Sequence, residues 1–231
     1  GQGAPRFVPA MLVFYRGLCA FILVPHADQI LPAFAAIFSN AFSGQSVAGG
    51  ALGTVIMTGV SRGAFSNEAG IGTEALAHGA AKTEEPVREG LVAMMGPAID
   101  TLLVCTGTAL VILVTGVLDP VEGLEGVSLT AAAFDSGLPG GWGSVCLLVM
   151  VFFLSVSTMI SFGYYGCKCF GFLAGAERQH WWMWFYFALI FLGSIASFQT
   201  VIGLIFGMYA VMAIPTMIST LRLAPRVNQA A

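Results

Sequence analysis

Residues 59–72 read GVSRGAFSNEAGIG, and they hold the least ordinary chemistry in this chain. Gly59, Gly63, Gly70 and Gly72 interrupt an otherwise apolar stretch, which also carries the charges of Arg62 and Glu68. Glycine tolerates unwound backbone. Unwinding frees N–H and C=O groups, and at membrane depth these are tolerable only where they line a cavity or hold something. The N-terminal end of a half-helix is partially positive and suits a carboxylate; the C-terminal end presents carbonyls and suits a cation. A break of this kind suits a zwitterion or Na⁺. An ordinary loop between two short interfacial helices is the alternative.

Two further groups stand out. Asp100 lies in the uncharged run Met95-Gly-Pro-Ala-Ile-Asp-Thr-Leu. A carboxylate inside a membrane costs about 2.5–3.5 kcal/mol on insertion scales, so it belongs to an ion or proton path or else pairs with a cation such as Arg88 or Arg62. Pro97, three residues earlier, removes a backbone donor and is expected to bend its helix. Residues 155–161 read SVSTMIS. The Ser157 and Thr158 hydroxyls offer neutral oxygens to a hard cation, and small polar residues also glue helices together. No GxSxG, HExxH or phosphate-binding loop occurs, so enzyme chemistry has no support. Of the five cysteines, Cys167 and Cys169 are too close for a usual zinc knuckle, and no second pair follows.

The elements that must carry these groups are membrane helices. The chain has 231 residues, of which 57% are hydrophobic and only 9% charged; a soluble domain usually carries about 25% charged residues. Mean hydropathy is +0.86. Net charge is −3 without a basic tract, which argues against nucleic acid as a partner. Six apolar stretches occur, at 7–25, 47–81, 90–118, 144–166, 181–198 and 200–221. About 20 residues cross a bilayer as a helix, and all but the interrupted second stretch fit or exceed the usual range. Residues 28–42 are too short to span, with Pro32 expected to break them early, and suit the membrane surface.

Arg6, Lys82, Arg88, Lys168, Arg178, Arg222 and Arg226 fall on one side if the N-terminal end is cytoplasmic, and loops 26–46 and 119–143 carry no Lys or Arg. That asymmetry follows the positive-inside rule and puts both ends of the chain in the cytoplasm. Arg16 and Arg62 alone among the basic residues lie within spans. Trp181, Trp182 and Trp184 suit an interfacial belt.

Residues 62–81, RGAFSNEAGIGTEALAHGAA, are followed by GPAIDT at 96–101 and VCTGTA at 104–109. With Tyr164-Tyr165-Gly166 and the region of Pro215, they resemble the alanine/glycine:cation symporter family over nearly the whole chain. The resemblance implies a Na⁺- or H⁺-coupled carrier of alanine, glycine or another small neutral amino acid in a bacterial inner membrane, with no cofactor.

It also implies an all-α, leucine-transporter-type fold of two inverted five-helix repeats. Residues 1–231 would be one partial transmembrane domain: the second repeat and one preceding helix, about six spans. The N-terminal half of the carrier would lie on the rest of a longer chain. By the same resemblance Phe65, Ser66, Asn67 and Gly70 face the amino acid, Phe162 shapes its pocket, and Ser157 and Thr158 hold the cation. Asp100 and Thr101 lie near the ion path. Arg62 and Glu68 are close enough in sequence to pair across unwound backbone, as a gate or as a structural pair. The chain departs from the family pattern at Phe162, where Trp is common, at Cys167, where Glu is frequent, and at Thr216, where Asn usually follows the proline.

Overall fold

The computed structural model describes residues 4–41, 59, 61–63, 66, 68, 70–118 and 126–230. Among the described residues every regular element is helical. They are α1 (Ala4–Leu23), α2 (Ala27–Ala41), α3 (Thr73–His78), α4 (Pro86–Ala98), a π-helical segment (Ile99–Cys105), α5 (Thr106–Val114), α6 (Val127–Gly137), α7 (Trp142–Ala174), α8 (Gln179–Ile195) and α9 (Phe198–Ala230).

Four described runs are long and apolar enough to cross a membrane: Pro9–Ser39, Pro86–Val114, Pro139–Ala174 and Phe198–Pro225. Large apolar side chains stay uncovered along them; Leu173 is 82% exposed and Leu221 75%. Such a surface is stable only against lipid or another apolar partner. α8, with 17 residues, is about 25 Å long at 1.5 Å per residue, slightly short of the hydrocarbon thickness. Of the interrupted second stretch, residues 47–58, 60, 64, 65, 67 and 69 lie outside the described residues.

One expectation is corrected in α2. Pro32 does not break the segment: the helix runs through it to Ala41. The proline sits in the second turn, so it removes only the bond that would return to Asp28 near the start of the element. A short 3₁₀ turn at Val24–His26 joins α1 to α2, so residues 7–25 and 28–41 belong to one helical run.

The chain divides into two compact units. The first comprises the described parts of residues 1–58 and 99–158. Its centre is α5, against which α1, α2 and α6 pack. Cys19, Ile22, Val111, Ala133 and Phe134 form its main core, with Ala33, Leu110 and Val114 beside it. Phe134 is fully buried and stacks on Tyr15 with ring centroids 5.7 Å apart.

The short helix α6 seals the start of α7. A Cβ at Gly143 would overlap the backbone of Phe134 and Asp135, so the two helices touch main chain to main chain there. A Cβ at Gly137 would stand 2.6 Å from the Ile22 side chain. The Asp135 carboxylate accepts a hydrogen bond of 2.7 Å from the Ser144 N–H and another from the Ser144 hydroxyl. It thereby satisfies an orphan amide of the first turn of α7 and places negative charge at the positive end of that helix. These bonds hold the Asp135 carboxyl below the usual carboxylate range.

The second unit comprises the described parts of residues 59–98 and 159–231. Here α7 and α8 pack through small residues. A Cβ at Gly166 would overlap the Trp182 indole, and one at Gly163 would lie 3.1 Å from the Tyr186 ring. Tyr186 Oη donates to the Met159 carbonyl at 2.8 Å. Trp181 and Trp184 are exposed, in keeping with an interfacial belt, whereas Trp182 is half-buried in the notch at Gly166. Trp182 is therefore a packing residue, because the missing Cβ makes room for its ring.

Two outcomes follow from the α6–α7 junction. Gly143→Ala forces the helices apart and should destabilise the purified protein by about 1–3 kcal/mol, measured as a lowered thermal midpoint. The Asp135 contribution should be fully present above the ordinary carboxylate value of about 3.9 and be lost as pH falls through the depressed folded value. The difference in midpoint between the native protein and Asp135→Asn should thus be constant near neutrality and shrink below about pH 4.

Candidate functional site

The broken segment lies in the second unit. Residues 61–63 and Ser66 are helical, Glu68 and residues 70–72 are not, and α3 starts at Thr73. Glu68, Gly70 and Gly72 have φ of +51°, +84° and +101°. Three left-handed positions in five residues cannot be helical, and a non-glycine residue there is uncommon. One turn bond remains, from Ile71 N–H to Glu68 O at 3.2 Å. The break expected from the glycines is therefore present in the backbone between Glu68 and Gly72.

The last helix closes on this break. Thr216 Oγ1 lies 3.3 Å from the Ile71 carbonyl and 2.9 Å from the Met212 carbonyl, sharing its proton between them. A Cβ at Gly72 would stand 2.9 Å from Thr216 Oγ1. Glycine is required there twice over, for its φ and for the approach of the hydroxyl. Gly70 faces Met217, Thr220 and Leu221 across a shallow cavity of about 360 Å³. The Thr73 hydroxyl, buried at the start of α3, lacks a hydrogen-bond partner among the described residues. Such orphans are rare in native structures.

Glu68 is within electrostatic reach of Tyr165 on α7 and Tyr209 on α9. Phe162 packs edge-on against Tyr165 with centroids 5.9 Å apart. The second unit thus gathers Glu68 and Phe162 around one tyrosine. Arg62, Ser66 and Gly70 are exposed. Phe65 and Asn67, the other two residues expected to face a ligand, lie outside the described residues. Among the described residues His78 Nδ1 is hydrogen-bonded to Glu89 Oε1 at 2.6 Å, and Arg88 pairs with Glu85 at 3.7 Å.

The remaining expected residues belong to the first unit. Asp100 and Thr101 are the second and third residues of the π-helical segment, which begins two residues after Pro97. Asp100 lines a largely apolar cavity of about 650 Å³ with Tyr15, Thr108 and Thr130. Ser157 is half-buried and Thr158 exposed on α7. Sequence reasoning had noted Thr216 only as a departure and had given Tyr15, Thr108 and Tyr209 no role. Their partners lie up to 145 residues away, and no local pattern marks them.

The chain is 40% identical to the sodium/alanine symporter AgcS of Methanococcus maripaludis over 226 residues, which is 97% of this chain and 49% of that protein. It is 37% identical to the probable sodium/glutamine symporter GlnT of Bacillus subtilis over 175 residues, covering 76% of this chain and 36% of that one. It is 34% identical to a sodium/proton-dependent alanine carrier protein of Bacillus sp. strain PS3 over 185 residues, 74% of this chain and 41% of the relative. The chain thus spans about half the length, or less, of these relatives. The model of the sodium:alanine symporter family matches residues 1–231, and with the helical architecture it places this chain in that family, as a multi-pass membrane protein.

Proposed function

We propose that this chain is part of a carrier that couples the entry of a small neutral amino acid, alanine or glycine, to a cation, Na⁺ before H⁺. The observation that carries the reading is the break itself, with positive φ at Glu68, Gly70 and Gly72 in a member of a sodium:alanine symporter family. The reading includes about six spans, the inverted-repeat fold, and a bacterial inner membrane with both ends of this piece in the cytoplasm. It assigns no enzyme activity and no cofactor.

In this mechanism the amino acid carboxylate meets amides freed near residues 65–70, and Asn67 adds a side-chain amide. Phe65, Ser66 and Gly70 line the same place, and Phe162 with Tyr165 closes one wall. Na⁺ takes neutral oxygens from Ser157 and Thr158, and Asp100 and Thr101 stand along its path. Arg62, on the helical turn before the break, and Glu68, at its start, form a gate. Bound ion and substrate favour the inward-facing arrangement over the outward-facing one, which is what coupling requires. A second substrate reading, a larger amino acid such as glutamine, is favoured by the GlnT relative.

Labelled alanine uptake by the full-length protein in vesicles tests this. An inward Na⁺ gradient should stimulate uptake; uptake indifferent to replacing Na⁺ with choline overturns sodium coupling. Asn67→Ala should raise the alanine KM about tenfold or more, and an unchanged value removes it from the site. Ser157→Ala should raise the Na⁺ concentration for half-maximal uptake. Excess unlabelled glutamine, glycine and alanine as competitors decide between the two substrate readings.

A further inference from the structure

The charge of Arg16 on α1 is unused by the reading above, although it lies inside the apolar run Pro9–Ser39. A guanidinium at membrane depth is costly and needs acceptors. Its acceptor here is the backbone: Arg16 Nη1 donates to the Leu103 carbonyl. A regular α-helix already commits each mid-span carbonyl to one amide and leaves only its second lone pair for a side chain. The π-helical segment Ile99–Cys105 changes the bonding from i−4 to i−5 and leaves carbonyls for side chains.

Side-chain donors supply this segment at three of its carbonyls. Thr106 Oγ1 donates to Thr101 O at 3.1 Å, and Thr108 Oγ1 donates to Val104 O at 2.9 Å. With its own proton committed, Thr108 accepts from Tyr15 Oη. Arg16 alone among the three carbonyl donors comes from another helix. Gly107 lies buried beside this contact; a Cβ there would stand at ordinary contact distance, 3.4 Å from Arg16 Nη1 and 4.0 Å from Cys19 Sγ. Tyr15 and Arg16 therefore fasten α1 to the π segment and the turn that follows it.

We propose that Arg16 is a positioning residue that keeps Ile99–Cys105 in the π form and so sets where Asp100 and Thr101 stand. One residue of register is about 100° around a helix axis. If the segment relaxed to α, Asp100 would turn by that amount relative to α5 and leave the wall it shares with Tyr15 and Thr108. Arg16, being cationic, repels Na⁺ and acts on its path only through the backbone it holds. The inference rests on the proposed reading that Asp100 and Thr101 lie on the cation path.

The test uses the full-length protein with Arg16→Met, which keeps the length and loses every donor, and Arg16→Lys, which keeps charge and donors. Two quantities are read: the Na⁺ concentration for half-maximal alanine uptake, and backbone amide exchange across residues 99–106. Arg16→Met should raise the half-maximal Na⁺ concentration about tenfold, leave the alanine KM at saturating Na⁺ within about twofold, and change exchange in 99–106 about tenfold with 198–225 unaltered. Arg16→Lys should restore most of both. A fall in maximal uptake with unchanged Na⁺ dependence marks a merely structural role and overturns the proposal, as does unchanged exchange in 99–106. Should Arg16→Met fail to insert, Arg16→Gln, a neutral donor too short to reach Leu103, is expected to give the same result. If the native protein shows no Na⁺-stimulated uptake, the transport reading fails separately, and the exchange comparison alone decides whether Arg16 holds the segment.

Discussion

Backbone amides and carbonyls in hydrocarbon have no water to bond, and this one constraint organises the whole chain. It makes every regular described element helical. It also makes each departure from the α-helix conspicuous, because the freed groups must find partners. Around Glu68–Gly72, Thr216 shares its proton with the Ile71 carbonyl. Along Ile99–Cys105, Arg16, Thr106 and Thr108 serve Leu103, Thr101 and Val104. Some polar side chains of the spans thus serve places where the backbone has been opened, while others, such as Ser194 and Thr220, bond carbonyls of their own regular helix.

The same constraint separates rigid from yielding parts. Where α7 meets α8, Gly163 and Gly166 admit aromatic rings close to the main chain, and Tyr186 adds a bond to Met159 O. At the head of α7, Gly143 lets α6 approach backbone to backbone and Asp135 closes the first turn. Packing this close resists compression and transmits strain between the helices. Among the described residues of the break, the contacts are a main-chain bond from Ile71 N–H to Glu68 O and the shared Thr216 hydroxyl. A carrier needs that contrast, because a site that closes around its substrate must be softer than the elements that carry it.

Legibility in the sequence follows from how local each cause is. The break was readable because glycine acts on its own backbone: Gly70 and Gly72 hold φ values that other residues resist. The spans were readable because hydropathy is a property of composition. Pro32 misled because the effect of a proline depends on its place in the helix, and in the second turn it costs one bond near the start. Trp182 misled because a belt tryptophan and a packed one differ only in the glycine opposite, 16 positions earlier in the chain. Pro97 signalled a disturbance, but the π form depends on Arg16 from a different helix, and Thr216 meets Ile71 across 145 residues. Tertiary partners of this kind leave no local pattern.

The division of labour among these groups bears on selectivity. In the proposed mechanism freed backbone amides recognise the carboxylate, a group every amino acid has, so they give affinity without choice. Choice among side chains falls to volume, and a hydrophobic wall discriminates by only about 1–3 kcal/mol per methylene. In that mechanism the wall is Phe162, which packs edge-on against Tyr165. A phenylalanine is smaller than the tryptophan common at this place in the family, so a pocket bounded by it would be the roomier one. Coupling draws on different groups, the neutral oxygens of Ser157 and Thr158 and the π segment bearing Asp100. In that mechanism substrate preference can drift among relatives named for alanine and for glutamine while the ion machinery stays the same, because side-chain volume governs the one and neutral oxygens the other, even though Ser157, Thr158 and Phe162 share α7.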